Sequence, residues 1–532
     1  MKVLYIAPEH ASFVSVGGVG VVARDLPPAL ARLGVDAAVV VPLHGGELPS
    51  FAEVGAKYQF EIPFLGQKET VQIFRCGQPE TGTVVWFVAN ETHFGGRNVY
   101  ASDPIPFESD VRRYSFFARA CLELVRQLAP DIIHVNDWTG GYLLGWMELA
   151  NLRATDRGET APFRQRRVLT IHNIGYQGQT WKERLDETDF RDLMDHPVIG
   201  PLFNDPHLEY DCVNPMRLAM ELADVVNAVS PTNADEMTRP ENRDGYFSGG
   251  QGLEDIARRL VDEGRLTGIL NGMNYLAETP ACRSPASADI NAKFDPAFED
   301  LLNRKRDEKA TLSRLFVDPG NLLIGFVGRA VEQKFKLLTE RLDGRPVFEH
   351  LLDIPNVNVL VLATGEAEYE AFLTALSIAR FNHRHSYDEL LTAPRRRNYA
   401  AILAHDPALG RRIRLGCDVF LMPSLFEPCG IAQLESLAEA TPPLVRATGG
   451  LKDTVIPHTE PQGTGFTFDG TSRDDVLRSL VMTVREAARV HRDEPARFRQ
   501  LQYNAWRARF PWSDTASRYL NDLYEPTSIR QT

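Results

Sequence analysis

The densest chemistry of this 532-residue chain lies between Val419 and Val455. Glu427 and Glu435 form a Glu-x7-Glu pair that begins in the turn Phe426-Glu427-Pro428-Cys429-Gly430. Carboxylates so spaced can hold a sugar with the first and a ribose with the second. Cys429-Gly430 and Thr448-Gly449-Gly450 each open a helical pattern, and backbone N–H groups at helix starts donate to anionic or hydroxyl oxygens. Arg329 and Lys334 follow another apolar run. The guanidinium forks onto phosphate oxygens while the ammonium acts as a point charge. Upstream, Asp137-Trp138 can offer a sugar a carboxylate and a stacking ring. Gly17 and Gly18 sit in a glycine-rich turn that lets a diphosphate approach the backbone. Taken singly, these groups are as well read as solvated charges, a capping Asp and turn formers. Their combination points to handling of a phosphate-linked sugar.

Repeated strand–turn–helix units must position these groups. The apolar run 419–422, stopped by Pro423 and Ser424, predicts a buried parallel strand. Ile431, Leu434, Leu437 and Ala438 recur at helical spacing, and Pro442-Pro443 end that helix. Leu444-Val445 is the next strand, and a helix follows Gly450. Ligands of open parallel sheets sit where such turns leave the carboxyl ends of strands. The same alternation predicts strands at 3–7, 37–41, 83–89, 131–135, 168–171, 223–229, 322–327 and 358–363. Helices are predicted after Gly20, ended by Gly34, and over 114–128. The fold class is therefore α/β, with two Rossmann-like domains.

Composition narrows the function. The chain is 43% hydrophobic and 24% charged, with a formal charge of −13, as expected of a soluble, multidomain globular protein. The acidic balance argues against a nucleic-acid partner, though a basic cleft holding a phosphate stays open. Six cysteines without CxxC or zinc-like spacing predict reduced thiols in a cytoplasmic protein. No apolar run reaches the roughly 18 residues of a membrane span. Neither a P-loop nor a solenoid repeat is present.

The stretches SxFEPCGxxQL and PLVRxTGGLxDTV resemble the glycogen and starch synthases, retaining glucosyltransferases. The similarity continues in His172-Asn173-Ile174-Gly175-Tyr176-Gln177-Gly178, which resembles TIHNxxYQG, in Ser230-Pro231-Thr232, and in Gly328-Arg329 through Lys334. It implies a GT-B fold, two Rossmann-like domains facing across a cleft: residues 1–268 on the acceptor side, 269–505 for the nucleotide sugar, and a 506–532 tail packing back on the first. It implies that Glu427 and His172 contact the transferred glucose, that Arg329 and Lys334 bind the distal phosphate, and that Thr448, Gly449 and Gly450 contact the diphosphate. Asp137 joins the catalytic set, Trp138, Asn173 and Tyr176 the acceptor side, and His405 a place against the nucleobase. The partners implied are ADP-glucose and a glucan acceptor, with no cofactor and no metal.

The chain departs from the family pattern at several positions. Ser15 stands for a Lys and Val21 for an Asp in the glycine-rich turn, Thr139 for a His, and Asn274 for an Asp; Glu435 is an acid where many members have none. These departures leave open a related retaining transferase with another nucleotide sugar or acceptor, and a catalytically weak glucan-binding or regulatory protein. The segment 376–404, with Arg395-Arg396-Arg397, reads as a solvated basic loop.

Overall fold

The computed structural model describes the chain except residues 54, 79–80, 97, 101–105, 186–189, 207–210, 243–245, 276–294, 380–396 and 526–532. Cys282 and most of the basic segment, Arg395 and Arg396 included, lie outside the described residues. Strands form where apolar runs can be buried on both faces, as in β1 (Lys2–Ile6). Val3 and Tyr5 join one core layer while Leu4 and Ile6 join the other. Alternate residues thus feed opposite faces of the sheet.

The chain divides into two compact units. The first comprises Met1–Pro240, Gly249–Asn274 and Pro511–Thr532. Its elements include α1 (Gly18–Ala31), β2 (Asp36–Pro42), β3 (Tyr58–Phe64), β4 (Gln67–Gly77), β5 (Val84–Ala89), α2 (Pro106–Leu128), β6 (Ile132–Asn136), α3 (Gly141–Asp156), β7 (Arg166–Ile171), β8 (Val225–Ala228) and β9 (Leu266–Gly268). Among the described residues these strands form one sheet in the order β9-β8-β7-β6-β1-β2-β5-β4-β3. Pairing is parallel from β9 to β5 and antiparallel across β5-β4-β3.

The β3–β4 hairpin is not anticipated from the sequence. Its two-residue turn, Leu65-Gly66, has φ of 53° and 73°, a left-handed pair normally signalled by Asn-Gly. The helix Trp512–Arg518 and the turn after it pack in the same layer as α1, burying Trp512, Tyr519 and Tyr524. Tyr524 OH lies 2.7 Å from His134 Nδ1, and Asn227 Nδ2 donates to Tyr519 OH at 2.9 Å.

The second unit comprises Glu241–Ser248 and Tyr275–Phe510. Residues 269–274 thus stay with the first unit and Trp506 with the second, where it packs on Phe298 and Tyr503. Its sheet runs β12 (Tyr399–Ile402), β11 (Val357–Gly365), β10 (Leu322–Ala330), β13 (Val419–Met422), β14 (Pro443–Arg446), β15 (Phe466–Phe468), all parallel. The helices bearing on the site are α4 (Glu332–Thr339), α5 (Pro407–Gly416), α6 (Ala432–Ala438) and α7 (Gly449–Thr454). No helix among the described residues is long and apolar enough to cross a membrane. Cys76, Cys121, Cys212, Cys417 and Cys429 are buried and in no disulfide.

Candidate active site

In the second unit, the carboxyl edge of the parallel sheet carries most of the expected groups. Following the strand order, His405 comes after β12, Arg329 is the penultimate residue of β10, Glu427 follows β13 and Thr448 follows β14. His405 and Arg329 are exposed. Lys334, on α4, places Nζ 2.8 Å from Glu427 Oε2, with both side chains mostly buried. Ser424 Oγ donates to the same oxygen at 3.1 Å.

Two further contacts fix the turn that carries Glu427. Gln333 Nε2 donates to Phe426 O at 2.8 Å, and Leu425 N donates to Gln333 O at 2.8 Å. Arg446, 4% exposed, donates to Leu425 O and to Tyr246 O, and its Nε stands 3.3 Å from Asp469. Gln433 Nε2 lies within hydrogen-bond distance of Cys429 O, Gly430 O and Thr454 Oγ1. Sequence reasoning missed Arg446 and Gln433 as functional positions, although both stand inside the motif strings.

The glycines of this turn have a packing reason. Gly430 has φ +77°. A Cβ on Gly449 would stand 2.1 Å from Glu427 O, and one on Gly450 2.2 Å from Cys429 O. Backbone must meet backbone here, which only glycine allows. One expectation is corrected. Gly450 N–H donates to Glu427 O at 3.0 Å, so this amide braces the sugar-side turn and is not a free donor for a diphosphate. Glu435 pairs with Arg414 at 3.2 Å, its side chain 42% exposed. Desolvation by its neighbours raises the carboxyl above its ordinary range, against the pull of Arg414.

In the first unit, Asp137 and His172 follow adjacent parallel strands, β6 and β7. Asp137 Oδ1 accepts from His172 N at 2.6 Å and from Asn173 N at 3.3 Å. Its backbone holds φ +52° and ψ −165°, a region nearly reserved for glycine and costing on the order of 1–3 kcal/mol. Burial pushes its carboxyl up to about 7, against the pull of those two amides. His172 Nε2 lies 2.9 Å from Asn136 Oδ1, while Asn136 Nδ2 donates to Ile6 O. The Asn136 oxygen therefore accepts, which assigns the ring proton to Nε2 and leaves Nδ1 as an acceptor. Burial lowers this imidazole to about 3, so it is neutral at ordinary pH. Thr139, where the family has a His, donates to Asn136 O at 3.0 Å.

Two expectations for the first unit are corrected, each for a physical reason. Trp138 is 7% exposed, edge-on to Tyr114 at 5.4 Å, and so close to Gly178 that a Cβ there would stand 2.3 Å from the indole. It is a core ring with no free face for a sugar; among the acceptor-side residues, Tyr176 is the exposed one, at 63%. The glycine-rich turn is also occupied. Glu9, 1% exposed, accepts from Val16 N, from Gly17 N at 3.1 Å and from Gly20 N at 3.2 Å. Of the two glycines expected to meet a diphosphate, Gly17 gives its amide to this internal carboxylate instead. Gly18 stays exposed, with nothing near its missing Cβ. The signal for Glu9 was available: an acid placed directly between a buried strand and a glycine-rich turn.

Two α/β units in one chain, each with candidate side chains at the carboxyl ends of a parallel sheet, have the architecture of the GT-B glycosyltransferases. Residues 2–259 match the model of the starch synthase catalytic domain, and residues 406–489 that of the group 1 glycosyl transferases. The chain is 32% identical to a glycogen synthase of Gloeobacter violaceus, covering 100% of both chains. It is 32% identical to one of Desulfitobacterium hafniense, covering 99% of each. The catalytic domain of starch synthase IV from Arabidopsis thaliana, solved with ADP and acarbose, is similar in structure, with a TM-score of 0.74, 25% identity and 98% of each chain covered. The chain belongs to the glycogen and starch synthase family.

Proposed function

We propose that this enzyme lengthens an α-1,4-glucan by moving glucose from ADP-glucose to a chain-end 4-hydroxyl, with retention of anomeric configuration. The observation that carries the reading is the set of Arg329, Lys334 and Glu427 at one sheet edge, with the Lys334–Glu427 pair already formed at 2.8 Å. In the reaction, the bond from C1 to the diphosphate oxygen breaks. A bond from C1 to the acceptor oxygen forms on the same face, and the hydroxyl proton leaves on the departing diphosphate. Arg329 and Lys334 offset the charge that develops there, the electrostatic contribution that usually dominates such catalysis. In the second unit, Glu427 Oε1 accepts a sugar hydroxyl. With cations supplied by the chain, no metal is required. The ADP held by the similar Arabidopsis structure supports adenine as the donor base.

The test is incubation with ADP-glucose and glycogen, scoring ADP release and chain growth. No turnover by a folded protein overturns the reading. A second reading, transfer from another nucleotide sugar, is favoured by Ser15 and by Glu9 filling the glycine-rich turn. A panel of nucleotide sugars separates the two. Glycogen binding with no donor turned over marks a glucan-binding protein.

A further inference from the structure

Residues Glu241–Ser248 group with the second unit, although the chain on either side of them belongs to the first. This excursion is closed at its neck. Gly250 N donates to Arg239 O at 2.8 Å within the first unit, and Asn242 and Phe247 exchange backbone hydrogen bonds of 2.7 and 2.8 Å within the second. Tyr246, next to that bridge, holds φ +53°, a left-handed conformation that a bulky residue keeps only where its surroundings impose it.

The surroundings of Tyr246 are the supports of the Lys334–Glu427 pair. Its carbonyl accepts from Arg446 Nη1 at 2.7 Å, and the same nitrogen donates at 2.8 Å to the carbonyl of Leu425, in the turn that carries Glu427. Both hydrogens of one buried guanidinium nitrogen are thus shared between the excursion and the turn. The Tyr246 ring packs on the core of the second unit. Its phenol lies against the ion pair that Arg473 makes with Glu340 at 2.5 Å. Burial, with the Glu340 carboxylate, holds the phenol above its ordinary range, so it stays a neutral donor. Glu340 directly follows α4, the helix that carries Gln333 and Lys334. One residue therefore touches the support of the carboxylate through its carbonyl and the support of the cation through its side chain.

We propose that Tyr246 is a positioning residue for glucose transfer, an assignment that rests on the transferase reading above: it fixes Arg446 and the end of α4 so that Lys334 and Glu427 are in register before substrate binds. Without it, Arg446 Nη1 loses an acceptor in a buried place and is drawn away from Leu425 O to find another.

The test uses the full chain with ADP-glucose and glycogen. Tyr246 is half-buried, so its variants should fold. In Tyr246→Ala, kcat should fall about tenfold or more, as a small misplacement of reacting groups costs, with the KM for either substrate changed less than about threefold. Tyr246→Phe keeps the ring and the carbonyl, and its kcat should fall less than about threefold. Arg446→Lys loses the fork that serves two carbonyls and should reproduce the loss of Tyr246→Ala. Combining the two should cost less than about twofold more, since both act through one guanidinium. Hydrogen exchange read by mass spectrometry should quicken in Tyr246→Ala at 423–430 and 331–340, with β6 and β7 unchanged. Should Arg446→Lys not fold, the two Tyr246 variants decide alone. Wild-type kcat in Tyr246→Ala, a raised KM with kcat intact, losses that multiply in the double variant, or wild-type exchange at both segments overturns the proposal. If the wild type transfers glucose from no donor, the transferase reading falls; quickened exchange confined to the two segments then still supports the brace, and unchanged exchange removes it as well.

Discussion

Lys334 Nζ lies 2.8 Å from Glu427 Oε2, in a pair whose two side chains are 20% and 11% exposed. The cation expected on the phosphate and the carboxylate expected on the sugar thus hold each other at the edge of one sheet. Glu427 Oε2 also accepts from Ser424, which leaves Oε1 to take a hydroxyl. A cation held this way is positioned before the substrate arrives and needs little reorganisation when charge develops.

The two cations should separate in their effect on stability. Arg329→Ala and Lys334→Ala are each expected to cut turnover by about 10²-fold, the loss typical of removing one transition-state donor. Arg329 is exposed, and its removal should change stability by less than about 0.5 kcal/mol. Lys334→Ala leaves the mostly buried Glu427 without its cation and should cost about 1–3 kcal/mol. Steady-state rates and urea denaturation of both variants read the difference.

Glu9→Ala removes the acceptor of the Val16, Gly17 and Gly20 amides. Val16 and Gly17 are exposed and can turn to water, whereas Gly20 is buried and its donor left unsatisfied costs about 1–3 kcal/mol. The variant should therefore melt well below the wild type, by calorimetry. An unchanged Tm would show that water replaces the carboxylate at no cost.

The buried imidazoles set the acid response. His134 and His172 are lowered to about 3, and His10 and His44 to about 4, in each case mainly by burial. A histidine lowered in the folded state takes its proton first in the unfolded chain, from about pH 6.5 downward. Its contribution is present above that pH and is lost as pH falls toward 4, by up to about 1.4 kcal/mol per pH unit per ring. Asp137, raised to about 7, has the opposite sign: acidification from 7 to 4 favours its folded state. Four rings outweigh one carboxyl, so urea denaturation should show stability falling from pH 6.5 to 4.5. In Asp137→Asn the fall should be steeper, because the opposing group is gone.

Trp138 and Tyr176 should part company. Trp138→Ala empties a core position and should cost about 3–5 kcal/mol. Tyr176→Ala should leave the Tm unchanged, since the ring is 63% exposed, and should raise the KM for primer if the ring meets the glucan. Thermal melts alongside primer titrations read both.

The parallel strands were legible in the sequence because burial on both faces demands unbroken apolar runs; 419–422 coincides with β13. The β3–β4 hairpin was not, because its residues alternate and Leu65-Gly66 is a poor turn signal. The helix before residue 114 was also missed; α2 begins at Pro106. The placement of Glu427, Arg329, Asp137 and His172 at or just after strand ends was legible, and Lys334 lies in the helix that follows β10.

What the amino-acid order determined by itself is which groups stand at the ends of which strands, because strand and turn formation depend on neighbours along the chain. Only the tertiary structure decided what each group touches. It turned Trp138 into the core against Tyr114 and Gly178, bound Gly450 N–H to Glu427 O, and filled the amides of the first glycine-rich turn with Glu9. It also grouped Glu241–Ser248 with the second unit, where Arg446 holds Tyr246 O. The reason is physical. A buried ring, amide or carboxylate takes whatever partner the packing of distant segments supplies, and the local sequence carries no record of that choice.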